Sequence, residues 1–212
     1  MLTPDQGRKD FLRTAAAAYR DALPGSLAEE HLVNRDLGGV AQRFGLGFVD
    51  EPREGHERFQ GMLSIPYIRP NKQVIQIRFR CITAGCAHEY HGKYNSEDHD
   101  ASNVYNTLAL ADDPQVIVIA EGETDTMVCE SVGVRALGIA GANLWRRYYP
   151  LLVEGVPRVI VIGDGDDAGR VFAKQVHKAV PQSRKVIMPG GHDINSFVSE
   201  HGADKFKEFI KL

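Results

Sequence analysis

Four short runs, QVIVIA (115–120), RALGIA (135–140), RVIVIG (158–163) and KVIMPG (185–190), recur through the second half of the chain. Between and after them stand segments of helical composition: ETDTMVCESVG, ending at Gly133, then NLWRRYYPLL, DAGRVFAKQVHKAV, and INSFVSEHG with ADKFKEFIKL. Continuous apolar runs such as VIVIA mark strands covered on both faces, and strand–helix alternation predicts a parallel sheet with right-handed crossovers. From Asp112-Asp113-Pro114 onward the chain therefore reads as an α/β domain, residues 114–212, with a four-stranded parallel sheet flanked by helices.

Residues 1–113 read differently, as a smaller α+β subdomain. Thr3-Pro4-Asp5-Gln6 offers an N-cap threonine, a proline at the first helical position and a glutamine for a capping box; the Ala-rich run that follows stops at Pro24-Gly25. Ser26-Leu27-Ala28-Glu29 opens a second helix, to about Asp36, and a short helical stretch after Gly38-Gly39 leads into RFGLGFV, where the chain turns. MLSIPYI and VIQIRFRCI, joined by Arg69-Pro70-Asn71-Lys72, read as strands. In the second, Ile75, Ile77 and Phe79 take one face and Gln76, Arg78 and Arg80 the other. TAGCAHEYHGKYNSEDHD is loop-like, and 103–111 a short helix.

Composition narrows the class. The chain has 212 residues, 43% hydrophobic and 25% charged, which is ordinary for a globular protein with a sizeable core. A net charge of −3 offers no bulk attraction to nucleic acid, so any such contact must rest on local patches. Three cysteines, an odd number, fit a reducing compartment rather than a disulfide framework. No apolar run approaches the ~18–20 residues of a membrane span, and MLTPDQGRKDFLR is unlike a signal peptide. The expectation is a cytosolic protein.

In an open parallel sheet, ligands sit at the carboxyl ends of the strands. Three acidic groups fall there: Glu121 with Glu123 and Asp125, then Asp164, Asp166 and Asp167, then Asp193 in PGGHD. Carboxylates so crowded repel one another, and oxygen donors on loops suit Mg²⁺ or Mn²⁺ with substrate phosphates. Gly163, Gly165 and Gly169 allow tight turning and close backbone approach. A plainer reading gives one aspartate to the cap of the helix starting near Ala168, with Asp167 capping or facing solvent. The run also satisfies the dinucleotide fingerprint G-x-G-x-x-A, but carboxylates there would repel a pyrophosphate, and Arg184 and Lys185 stand where an acid is wanted.

EGETD followed by GDGDDAGR resembles the two signature blocks of the Toprim domain, over roughly residues 114–202. The resemblance implies a glutamate at Glu121, a D-x-D pair at Asp164 and Asp166, and Asp125 as a further acid. PGGHDINSFVSEHG resembles the primase continuation of that domain and adds Asp193. Upstream, RFGLGFV, GMLSIPYI, VIQIRFR and GKYNS resemble the N-terminal part of a DnaG-type primase catalytic core, so the likeness covers about residues 20–202. It implies Arg80 and Lys93, with Arg78 as a neighbour, as the groups that hold template or nucleotide. Also implied is template-directed RNA primer synthesis on single-stranded DNA from ribonucleoside triphosphates, with two Mg²⁺ or Mn²⁺ ions held by Glu121, Asp125, Asp164, Asp166 and Asp193. Glu121, Asp164 and Asp166 would be the catalytic acids.

The reading is of an isolated core from a compact phage or mobile-element genome, working in the bacterial cytoplasm with a separate zinc-binding module or helicase as partner and no membrane. A Toprim nuclease and a noncatalytic replication or repair factor are the alternatives. Topoisomerase is disfavoured for want of a domain bearing a strand-cleaving tyrosine, and an ATPase-linked nuclease for want of G-x-x-x-x-G-K-[ST]. Cys81, Cys86, His88 and His91 form a C-x4-C-x-H-x2-H run whose spacing is not a common structural zinc pattern. It reads first as a polar loop on the substrate side and second as a zinc site. His192 reads as a solvated loop histidine.

Overall fold

A computed structural model describes residues 5–97, 103–140 and 145–212. The chain divides into two compact units, Met1–Asn103 and Val104–Leu212.

In the first unit, α1 (Gln6–Asp21) starts at Asp5, whose side chain accepts the Arg8 N–H. The cap is thus two residues later than Thr3; Thr3 and Pro4 lie outside the described residues. Ser26 caps α2 (Leu27–Val33) by accepting the Glu29 N–H, but the Glu29 carboxylate turns to the Gly25 N–H, so only half a capping box forms. α2 ends three residues before Asp36. A 3₁₀ turn at Gly38–Val40 runs into α3 (Ala41–Phe44), which Gly45 closes at φ 62°. Four antiparallel strands follow in the order β1 (Gly47–Phe48), β2 (Leu63–Ile68), β3 (Val74–Arg80) and β4 (Tyr94–Ser96). β4 lies inside the segment expected to be wholly loop: Tyr94 pairs with Arg80 and Ser96 with Arg78. α1 packs on β1, β2 and β3. Their core joins Leu12, Tyr19, Val49 and Ile77 to Phe59 and Phe79, which stack 4.0 Å apart at 9°.

The second unit is the expected α/β domain, and it begins at Val104, ahead of the composition-based boundary at 113. Tyr105 bridges to Gly138, and a 3₁₀ turn, Thr107–Leu110, stands where a short helix was expected; Val104 and Ala109 enter the core. β5 (Val116–Ala120), β6 (Ala136–Gly138), β7 (Arg158–Gly163) and β8 (Arg184–Ile187) form a parallel sheet in the order β6-β5-β7-β8. α4 (Glu123–Ser131) packs on β5 and β6, and α5 (Asp167–Ala179) on β7 and β8. α6 (Ile194–Phe209) packs on α4 and is interrupted at Gly202, φ 83°. Among its described residues NLWRRYYPLL gives a 3₁₀ turn at Tyr149–Val153, because Pro150 lacks an N–H and restrains Tyr149; Asn143 and Leu144 lie outside the described residues. Among the described residues no helix is long and apolar enough to cross a membrane.

Candidate functional site

Within the second unit the sheet places the acids. β5 ends at Ala120 and releases Glu121, and Gly122 at φ 119° makes the turn into α4. Glu121 Oε2 is buried and has no hydrogen-bond partner. Burial pushes this carboxyl up to about 7, and the charges of Asp164 and Asp166 push the same way. Every residue of α4 from Glu123 to Glu130 is buried, so Asp125 in its first turn is only 7% exposed. Its Oδ1 accepts the Asn195 N–H at 3.3 Å. Burial, then Asp164 and Asp193, hold the Asp125 carboxyl well above the usual range.

β7 ends at Gly163 in a turn that main-chain packing dictates. A β-carbon on Gly163 would lie 2.1 Å from the Gly169 carbonyl oxygen, and one on Gly165 2.7 Å from the Gly191 nitrogen. Real side chains do not fit, so the D-G-D turn is pressed against α5 on one side and against residues 188–191 on the other. Asp166 is the N-cap of α5 and accepts the Gly169 N–H at 2.8 Å. The capping role foreseen for one aspartate therefore falls on a predicted metal ligand. Asp167 is 99% exposed and pairs with Arg170 at 2.9 Å, facing solvent. Asp193 caps α6 in a reciprocal box with Ser196, accepting its N–H at 2.6 Å. The adjacent His192 lies 3.2 Å from Ser196 Oγ and 3.7 Å from Glu200, so it joins a surface group with Glu200 and His201.

Asp164 is the electrostatic centre, since its charge acts on both Glu121 and Asp125. Asp166 completes the first pair and Asp193 the second. Among the described residues no three of these acids bring ligand oxygens within 4.8 Å of one another. An unpartnered, buried carboxylate oxygen beside carboxyls that raise one another is a donor set suited to hard divalent cations.

In the first unit, the polar face of β3 is buried. Arg78 and Arg80 are 8% and 4% exposed and their guanidiniums stand 5.2 and 5.0 Å from the Tyr94 ring; Arg80 also donates to the Tyr94 hydroxyl. Lys93 is exposed. His31 reports the sign of this region. Burial, then Arg80, Arg35 and Lys93, lower its pKa to about 4. Arg35 was not singled out from the sequence, since it lies far from β3 along the chain. The Cys81, Cys86, His88 and His91 donors lie within 4.8 Å of one another, on the loop leaving β3.

Comparison with known proteins agrees with this layout. The Toprim-like family matches residues 118–198. The Gene 57 protein of Mycobacterium phage D29 is 36% identical over 156 residues, 72% of this chain and 99% of that protein. The DNA primase of Haemophilus influenzae is 20% identical over 95% of this chain, but only 41% of its own length is spanned. A DnaG primase catalytic domain solved with single-stranded DNA superposes with a TM-score of 0.79 at 19% identity, over 97% of this chain and 78% of that one. The chain belongs to one family with the phage Gene 57 protein, and its second unit carries a Toprim-like domain; DNA primases are among its more distant relatives.

Proposed function

We propose that this chain is a primase catalytic core, which makes short RNA primers on single-stranded DNA from ribonucleoside triphosphates. One observation carries the reading: Glu121, Asp125, Asp164, Asp166 and Asp193 gather at the carboxyl edge of a Toprim sheet, with Glu121 Oε2 buried and unpartnered. Asp164, Asp166 and Asp193 are the principal holders of Mg²⁺ or Mn²⁺, with Glu121 and Asp125 beside them. A pair of such ions supplies charge neutralisation and nucleophile activation to phosphoryl transfer. Glu121, at the end of β5 with one oxygen buried and unpartnered, would act as general base for a 3′-hydroxyl or hold an ion through water. Asp125 is enclosed and tied to the first turn of α6, which suits a group that fixes its neighbours.

Arg80 and Lys93, with Arg78 behind the shared Tyr94 ring and Arg35 nearby, would meet template phosphate, where cations contribute most to affinity. The single-stranded DNA in the neighbouring DnaG structure supports that partner. A separate zinc-bearing module or helicase would assist initiation. The phage relative supports a phage-encoded protein at work in the bacterial cytoplasm.

The test is primer synthesis on mixed-sequence single-stranded DNA, with labelled ribonucleotides and Mg²⁺ or Mn²⁺, wild type beside Asp164→Asn. Short RNA that vanishes in the variant supports the reading. Extension of a preformed primer without initiation supports a core that needs its partner. Degradation of the DNA without nucleotides, or no product in either format, overturns it.

A further inference from the structure

The turn leaving β3 holds a second donor cluster, outside the acidic site and in the other unit. Cys81, Cys86, His88 and His91 each bring a ligand atom within 4.8 Å of all the others. Two sulfurs and two ring nitrogens are the donor set of a closed tetrahedral zinc site. Zinc bond lengths of about 2.3 Å to sulfur and 2.0–2.1 Å to nitrogen place tetrahedral donors roughly 3.5 Å apart. Cys86 Sγ lies 3.6 Å from His91 Nε2.

The protonation of His91 agrees. Its Nδ1 lies 3.0 Å from the Gly92 carbonyl oxygen, which can only accept, so Nδ1 carries the hydrogen and the Nε2 lone pair faces the sulfur. A backbone carbonyl holding one imidazole nitrogen while the other ligates is the usual outer shell of a metal-bound histidine. His88 adds two observations. Its Nδ1 is buried with no hydrogen-bond partner, and its backbone sits at φ 56°, a left-handed conformation unfavourable for a residue with a side chain. The segment has little else to hold it. Tyr90 is 95% exposed, and only Cys81 and Cys86 reach the core of the unit. Both thiols are free in the structure.

We propose that Cys81, Cys86, His88 and His91 bind one structural zinc ion that staples the β3–β4 connection. The site does not rest on the primase reading. It bears on it through position. The Cys81 N–H donates to the Lys93 carbonyl at 3.0 Å, so the ion would pin the two strand ends that carry Arg80 and Lys93.

The test is metal content of the full chain, dialysed against Zn²⁺ and then against metal-free buffer, together with the visible spectrum of its Co²⁺ form. Expected are one zinc per chain, intense d–d bands of tetrahedral cobalt and thiolate-to-cobalt charge transfer. Cys86→Ser with His91→Ala should lose the ion and the charge-transfer band, whereas His192→Ala with His201→Ala should keep both. The wild-type cobalt spectrum decides the matter even where a variant fails to fold. No stoichiometric ion at saturating Zn²⁺, a Cys81–Cys86 disulfide by thiol titration, six-coordinate cobalt without charge transfer, or an ion retained in the Cys86→Ser, His91→Ala variant would each overturn the proposal.

Discussion

Gly169 lies so close to the D-G-D turn that a β-carbon on it would stand 2.2 Å from the Asp164 main-chain nitrogen. Alanine is the better helix former by roughly 1 kcal/mol in an exposed helix interior, yet here it must push Asp164 aside. Gly169→Ala is therefore expected to lower the melting temperature and to abolish primer synthesis with the acids intact. A variant that melts higher and remains active would show that the turn yields without harm.

Asp166 has two roles that one pair of substitutions separates. Asp166→Ala removes the α5 cap and should cost about 1 kcal/mol of stability as well as synthesis. Asp166→Asn keeps an oxygen for the Gly169 N–H, so it should melt near the wild type and still make no primer. Thermal unfolding beside the synthesis assay reads both.

Glu121 gives a pH dependence. Its folded pKa, near 7, lies above the ordinary 4.5, so the folded state holds a proton that the unfolded chain has already lost. Stability without divalent ions should therefore fall as pH rises from about 4.5 through 7, and Glu121→Gln should flatten that slope. Asp164→Asn should move the Glu121 carboxyl downward in an NMR titration of the metal-free protein. An unmoved titration would remove Asp164 as a source of the shift.

Glu97 gives the opposite slope in the other unit. Burial raises its carboxyl, but His56, 2.9 Å away, and Arg8 outweigh burial and hold it at about 2. Its contribution is thus present above about 4.5 and lost as pH falls toward 2. Urea unfolding between those values should show a steeper loss in the wild type than in Glu97→Gln, with the two converging at the acid end.

His31 can serve as a reporter of template binding. Burial, then the Arg80, Arg35 and Lys93 charges, depress it to about 4, so phosphate near Arg80 and Lys93 should raise its ring pKa on addition of a single-stranded oligonucleotide. Lys93→Ala should also reduce the slope of log affinity against log salt by about 0.7, the value for one single-strand phosphate contact. No change in either would separate DNA binding from this face.

The parallel sheet was legible because VIVIA and VIVIG are covered on both sides, and the acids because strand ends are predictable positions. α4 was less so: with every residue from Glu123 to Glu130 buried it has no polar stripe, and nothing in the letters shows that Asp125 is enclosed. β4 was hidden by its length and by the polar residues around it. The nearness of the Cys–His donors was hidden for a related reason. Its spacing is unfamiliar, but Gly85 and His88 at positive φ fold it so that donors from both ends meet. The burial of Arg78 and Arg80 depended on Tyr94, fourteen residues beyond Arg80, which no periodicity in β3 reveals.

Asp166 and Asp193 each commit a single oxygen, Oδ1, to the first turn of the helix that follows. The second oxygen of each is left over from folding. α5 and α6 can then stay formed whether or not a cation arrives, and withdrawing Mg²⁺ or Mn²⁺ should silence the protein without unwinding these helices. On the proposed reading each carboxylate is shared between the scaffold and the chemistry, one atom apiece.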